Sequence, residues 1–234
     1  MRFSVRSSLL AAIAAVALAS PAGCRFVDDD WTMPDSGEFD AAVDDDAGPG
    51  ELCPADAPDL FNNAYSPYMG GETSVDIEVV DYSYFRCPHC ADFAVEWEEI
   101  FSARPDFRDR VRFYFHHYPF NTEDAWRIHA ATVAAGNQGM EYFWRLHDYI
   151  FGQKVNEGHT VTVDEAQAFC QNELGLEMSQ FEADLAADAT YAFLAWDKEQ
   201  AQAIGVSSTP SVFVCGDKIS WGNLEAVLDG YLYP

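Results

Sequence analysis

Hydrophobic and polar positions along the chain change period several times, and each change marks an element. In "SVDIEVVDYSY" (74–84), Val75, Ile77 and Val79 alternate with polar residues, the two-residue period of a strand. "PHCADFAVEWEEIFSAR" (88–104) instead places Cys90, Phe93, Ala94, Trp97, Ile100 and Phe101 at helical spacing, and Pro105 closes the run. Alternation returns in "VRFYFHH", through Val111, Phe113 and Phe115, so the three segments read as one βαβ unit.

A long helical stretch follows. "TEDAWRIHAATVAAGN" opens with Thr122 two residues before Asp124 and stops at Gly136. "GMEYFWRLHDYIFG" is densely aromatic, and "TVDEAQAFCQNELG" puts Ala166, Phe169, Cys170 and Leu174 on one face. "MSQFEADLAADATYAFLAWDKEQAQAIG" adds one or two helices more. After Pro210, "SVFVC" and "KISW" are short strands joined by "GD" in a tight hairpin, and "NLEAVLDGYL" is a closing helix. No internal repeat and no transmembrane helix is expected.

Before residue 61 neither period is sustained. Arg2 and Arg6 precede the apolar run "LLAAIAAVALA" (9–19), too short for a stop-transfer helix, and the small residues of "SPAGC" follow, the pattern of a signal peptide over 1–23. "PAGC" resembles a bacterial lipobox, in which Cys24 becomes the lipidated first residue. Pro21 stands where that pattern has an aliphatic residue, so ordinary cleavage near Ala19 or Ala22 stays open as plain secretion. Either route delivers the chain to an oxidising compartment, the bacterial cell envelope. Residues 24–60 are rich in Asp, Pro, Gly and Ala, bury too little apolar surface to offset their ordering entropy, and read as a disordered, self-repelling tether. The acidic triplets Asp28–Asp30 and Asp44–Asp46 lack the alternating ligands and central Gly of an EF-hand loop.

Composition narrows the partners. The 234 residues are 49% hydrophobic, enough for one domain with its own core. Lys and Arg number 13 against 39 Asp and Glu, a formal net charge of −26, which argues against nucleic acid and against docking on anionic lipid. No Lys or Arg occurs between Arg25 and Arg86.

Six cysteines carry the candidate chemistry: Cys24, Cys53, Cys87, Cys90, Cys170 and Cys215. Cys87-Pro88-His89-Cys90 lacks the second close pair, or the spaced histidines, that zinc would need, so no metal site is expected. A structural bridge within C-x-x-C closes too small a loop to stabilise much. Redox turnover is the reading with a positive mechanism. Cys170 shares a face with Phe169 and Leu174 and reads as an inert buried thiol, leaving Cys53 and Cys215 as the candidate second disulfide, although sequence does not determine connectivity. His129 and His147 have no H-E-x-x-H partner and read as packed or surface side chains, and Tyr142-Phe143-Trp144 as packing.

A strand, then "FRCPHC" opening a helix, then a helical insertion, then "GVSSTP" before a hairpin and last helix, resembles the DsbA-type thiol:disulfide oxidoreductases over 61–234. The resemblance implies an α/β thioredoxin fold, a mixed sheet flanked by helices, with an inserted helical domain at about 122–205. It implies that C-P-H-C belongs to the oxidising branch and that Thr209-Pro210 is the cis-proline loop, lying against the active-site pair to bind substrate. The acidic tether and lipid anchor depart from the family's best-known soluble members. The roles follow from position. Cys87, at a helix mouth, is stabilised as a thiolate by free N–H groups; Pro88 costs no hydrogen bond there; His89 donates to, or places charge beside, the sulfur; Cys90 is the shielded partner. The expected function is a dithiol oxidase of exported proteins with free thiols, acting as a monomer, with no cofactor, reoxidised by a membrane redox partner and touching the membrane only through its anchor. A reductase or isomerase of the same fold and a non-catalytic envelope binding module are the alternatives.

Overall fold

The computed structural model describes residues 52–54, 66–71 and 74–234. The expected signal peptide over 1–23, the candidate lipidation site Cys24 and most of the 24–60 segment lie outside the described residues.

Five strands form one mixed sheet in the order β1-β3-β2-β4-β5. The centre is β2 (Ile77–Ser83) beside β3 (Val111–His117), parallel and in register from Ile77↔Val111 to Ser83↔His117. Helix α1 (Pro88–Ala103) makes the crossover, completing the βαβ unit. Pro105 does more than close α1: it sits at N1 of a further short helix, α2 (Pro105–Arg110), where its fixed φ and missing N–H cost nothing. Strand β1 (Tyr68–Gly70) adds an antiparallel edge to β3. Its three residues are too few to show a period, so pattern reading passed over it.

On the other side β4 (Ser211–Val214) runs antiparallel to β2, and β5 (Asp217–Ile219) pairs with β4. The hairpin turn is Cys215-Gly216, one residue earlier than "GD", because Val214 pairs with Asp217. Both turn residues have positive φ, 49° and 84°, the handedness that two-residue hairpins need. Helix α8 (Leu224–Leu232) ends the chain.

Between β3 and β4 lie five helices: α3 (Glu123–Gly136), α4 (Met140–Glu157), α5 (Val163–Phe169), α6 (Met178–Ala186) and α7 (Asp188–Ala203). Thr122 caps α3 by accepting from the Ala125 N–H, and Thr162 with Glu165 forms a capping box on α5. Past α5 the chain widens into a π-helical turn, Cys170–Leu174. Cys170 and Leu174 stay buried there while Phe169 swings out to stack on Tyr149, 4.1 Å between centroids.

Sheet parity sorts the core. Ile77, Val79, Phe113 and Phe115 belong to the main cluster with α1 and the insertion; Val80, Tyr82, Tyr114 and Phe213 form a smaller cluster on the opposite face with Ala201 and Val206. Cys53 is joined to Cys215 by a disulfide, and the Leu52 N–H donates to the Asp76 carbonyl. Residues 52–54, which the compositional reading assigned to a free tether, are therefore held on the domain beside the start of β2.

Candidate active site

The site stands at the C-terminal end of β2, where the strand stops and α1 begins. A turn closed by the Cys87 N–H on the Tyr84 carbonyl (2.9 Å) brings Cys87 to the N-cap of α1, with Pro88 in the first turn. The cap position has no side-chain hydrogen bond of the usual kind, so the helix amides are free to face the Cys87 sulfur. In its protonated form the sulfur also donates to the Thr209 carbonyl at 3.4 Å. The Thr209-Pro210 peptide is cis, and Ser211 next to it pairs with Tyr82 of β2. Cys87, Cys90, Thr209 and Pro210, spread over more than 120 positions of sequence, thus meet in one place.

The two thiols differ sharply. Cys87 is half-buried and its pKa is drawn down to about 5, chiefly by a hydrogen bond from the Cys90 thiol, with further help from Thr209 and the backbone N–H groups of Cys90 and His89; partial burial opposes this. Cys90 is fully buried, and burial foremost, then its bond to Cys87 and the nearby Asp81, pushes its pKa far up. A thiolate at Cys87 and a thiol at Cys90 is the resulting dithiol state.

His89 acts by a different atom from the one expected. Its side chain is largely exposed, with Nδ1 3.6 Å from an Asp92 oxygen, and what residue 89 contributes to the Cys87 sulfur is its backbone N–H.

Three groups beneath the thiols escaped pattern reading. Asp81 is buried under Cys90, and burial raises its pKa to about 8 against the lowering effect of the Ser83 hydroxyl. The signal was present: Asp81 and Ser83 share parity with Ile77 and Val79, so the strand period aims them into the core. The third group is a histidine pair. His117 of β3 and His129 of α3 are both fully buried with Nδ1 atoms 2.8 Å apart. His147 is buried too, and His116 bonds to buried Asp197 at 2.5 Å. Cys170 is buried and its pKa is pushed up to about 12 by that burial, away from the site. Among the described residues no three His, Cys, Asp or Glu side chains gather as a metal-binding group.

A dithiol of unequal acidity at a helix mouth, facing a cis-proline loop on a thioredoxin-fold sheet, defines a thiol:disulfide exchange centre. Comparison with known proteins agrees. The thioredoxin family model matches residues 63–231. "Probable disulfide bond formation protein D" of Bacillus cereus is 27% identical over 157 residues, 66% of this chain and 73% of that protein. A Na(+)/H(+) antiporter NhaA of Herminiimonas arsenicoxydans is 29% identical over 168 residues, but the chain spans only 25% of its length. Among solved structures, BdbD of Bacillus subtilis in its oxidised form has a TM-score of 0.64 at 16% identity, covering 76% of this chain and 97% of that one. A thioredoxin-like oxidoreductase of Silicibacter pomeroyi has a TM-score of 0.61 at 23% identity, covering 75% and 96%. The chain belongs to the thioredoxin family, and the proteins it resembles include a probable disulfide bond formation protein and a thiol-disulfide exchange protein of Wolbachia pipientis.

Proposed function

We propose that the protein is a dithiol oxidase of the bacterial cell envelope, with Cys87 as nucleophile and Cys90 as its shielded partner. The observation that carries this reading is the unequal acidity of the two thiols. Stabilising the Cys87 thiolate stabilises the reduced enzyme, which makes its disulfide the stronger oxidant.

The cycle starts from the Cys87–Cys90 disulfide. A substrate thiolate attacks the Cys87 sulfur; the S–S bond breaks, and Cys90 leaves with the electron pair and takes a proton. Asp81, protonated near neutrality and buried beside Cys90, is placed to supply that proton. A second substrate thiolate then attacks the substrate sulfur of the mixed disulfide and expels Cys87 as a thiolate. The substrate has lost two electrons, and the enzyme holds them as a dithiol. A membrane redox partner takes them to restore the disulfide. Thr209 and Pro210 supply the backbone against which an extended substrate lies, so recognition is shallow and tolerant of sequence.

Exported proteins with free thiols are the substrates. Location in the envelope rests on the signal-peptide pattern over 1–23, with Cys24 as the lipid attachment point and residues 24–60 as an acidic linker to a domain over 61–234 whose helical insertion runs about 122–205.

Single-cysteine variants test the division of labour. Cys90→Ala keeps the activated thiolate without an internal resolving thiol, so mixed disulfides with reduced, unfolded protein should accumulate and be isolable. Cys87→Ala should form few adducts and lose all oxidase activity. Equal trapping by both variants would remove Cys87 as nucleophile and favour a non-catalytic binding module.

A further inference from the structure

His117 and His129 take no part in the exchange steps, yet they lie directly behind the turn that presents Cys87. That turn, Tyr84 to Cys87, is closed by its own hydrogen bond from the Cys87 N–H to the Tyr84 carbonyl. The N–H of its second residue, Phe85, has no partner within the turn, and Phe85 is buried at 2% exposure, so water cannot satisfy it. It donates instead to Nε2 of His129, 3.5 Å away on α3 of the insertion. The His129 ring also lies parallel to the Tyr84 ring, with 2° between planes, and 4.7 Å from the Phe85 centroid.

This arrangement dictates a tautomer. A ring nitrogen that accepts from an amide carries no proton, so neutral His129 holds its proton on Nδ1. Nδ1 is 2.8 Å from Nδ1 of His117, which must then accept and keep its own proton on Nε2. His117 is itself tied to α7, its backbone N–H donating to Asp197 Oδ2 at 2.5 Å. Charged and titratable neighbours are Arg86 and Lys198 around His129, and Asp197, His116 and His147 around His117. Burial, with the cations Arg86 and Lys198, keeps His129 neutral.

We propose that His129 is a positioning residue for the nucleophile: by accepting the Phe85 N–H at Nε2 while its Nδ1 faces His117, it holds the turn that sets the Cys87 sulfur against the α1 amides and Thr209. The proposal rests on Cys87 being the activated thiol. It gives the helical insertion a direct hold on the exchange centre, since α3 reaches the backbone two residues before the reacting sulfur.

Two measurements on the reduced full-length protein test this. Long-range 1H–15N correlation spectra near neutral pH should show His129 protonated at Nδ1 and bare at Nε2, the reverse of the tautomer that free histidine side chains prefer. A proton on Nε2 would overturn the proposal without any substitution being made. The second measurement is the pH profile of Cys87 alkylation in His129→Gln and His129→Phe. Gln offers a carbonyl to the Phe85 N–H and an amide donor to His117, whereas Phe keeps ring volume and stacking but offers no acceptor. Loss of one hydrogen bond should slow alkylation of the Phe variant on the order of fivefold at about pH 6 and move its midpoint up, while the Gln variant stays within about twofold of wild type. A Phe profile matching wild type, or a Gln profile as impaired as Phe, would overturn it. A wild-type midpoint near ~8.5 has a separate meaning: it removes the activation of Cys87 on which the proposal rests.

Discussion

Asp81 and Cys87 show how one buried strand end and one helix mouth divide the chemistry between residues. The Cys90 thiol, the helix amides and Thr209 converge on the Cys87 sulfur, while Asp81 lies buried beside Cys90. The acid is buried without a cation, so its pKa rises from 3.8 to about 8. Its linkage to stability follows. The unfolded chain releases this proton once pH passes about 4, while the folded chain retains it to about 8, so the folded state loses about 1.4 kcal/mol per pH unit across that window. Asp81→Asn removes the loss. Chemical denaturation should find this variant more stable than wild type at pH 8, with the gap closing toward pH 4. The same variant should slow the step in which Cys90 takes its proton. A stability gap independent of pH would mean that Asp81 is not held protonated in the fold. Asp81 is legible in the strand period, which aims it into the core with Ile77 and Val79, but that period does not tell which buried carboxylate lies beside a thiol. The histidines were not legible: His117 and His129 are twelve residues apart on different elements, and only the packing of α3 against the sheet end makes them a pair.

At the scale of elements, sequence period and structure agree where a segment runs to seven residues or more, even in β2 and β3, which are buried on both faces. β2, α1 and β3 are each long enough for a period to register, and their boundaries follow it. Shorter or irregular pieces do not announce themselves: β1 has three residues, α2 hides behind a proline that also ends α1, and the π-helical turn at Cys170 shifts the helical phase. The Cys53–Cys215 bridge pairs the cysteines left once the C-x-x-C pair and buried Cys170 are assigned, and pairing of this kind depends on where a loop lands rather than on local pattern. It ties the segment before β1 to the β4–β5 turn across a sequence separation of 162, at the end of β2 away from Cys87. Closing so long a loop restricts the unfolded chain, so Cys53→Ser with Cys215→Ser should lower stability by up to about 5 kcal/mol. The alkylation profile of Cys87 should stay unchanged, since the bridge lies at the opposite end of the strand. A Cys87 profile that moved with the bridge would place the second disulfide in the catalytic machinery.

For the whole molecule, the insertion and the thioredoxin-fold sheet are joined through buried polar groups, and this makes the assembly sensitive to acid. Burial lowers the His129 pKa from 6.5 to about 3, and burial with His129 beside it lowers that of His117 as well; Arg86, Lys198, His116 and His147 add to the effect, and Asp197 opposes it. Each histidine is neutral in the fold and protonates in the unfolded chain first, so its contribution to stability is complete above about pH 6.5 and is lost as pH falls below it, for His129 down to about 3, by about 1.4 kcal/mol per unit. Wild-type protein should therefore lose stability through that window, and His117→Phe with His129→Phe should flatten the dependence. The central claim, that this exchange centre runs as an oxidase, is tested most directly by the reduction potential of the Cys87–Cys90 pair, measured by equilibration with glutathione. The account predicts an oxidising couple, nearer the about −120 mV of DsbA than the about −270 mV of thioredoxin. A value at the thioredoxin end would contradict it and make the protein a reductase built on the same fold.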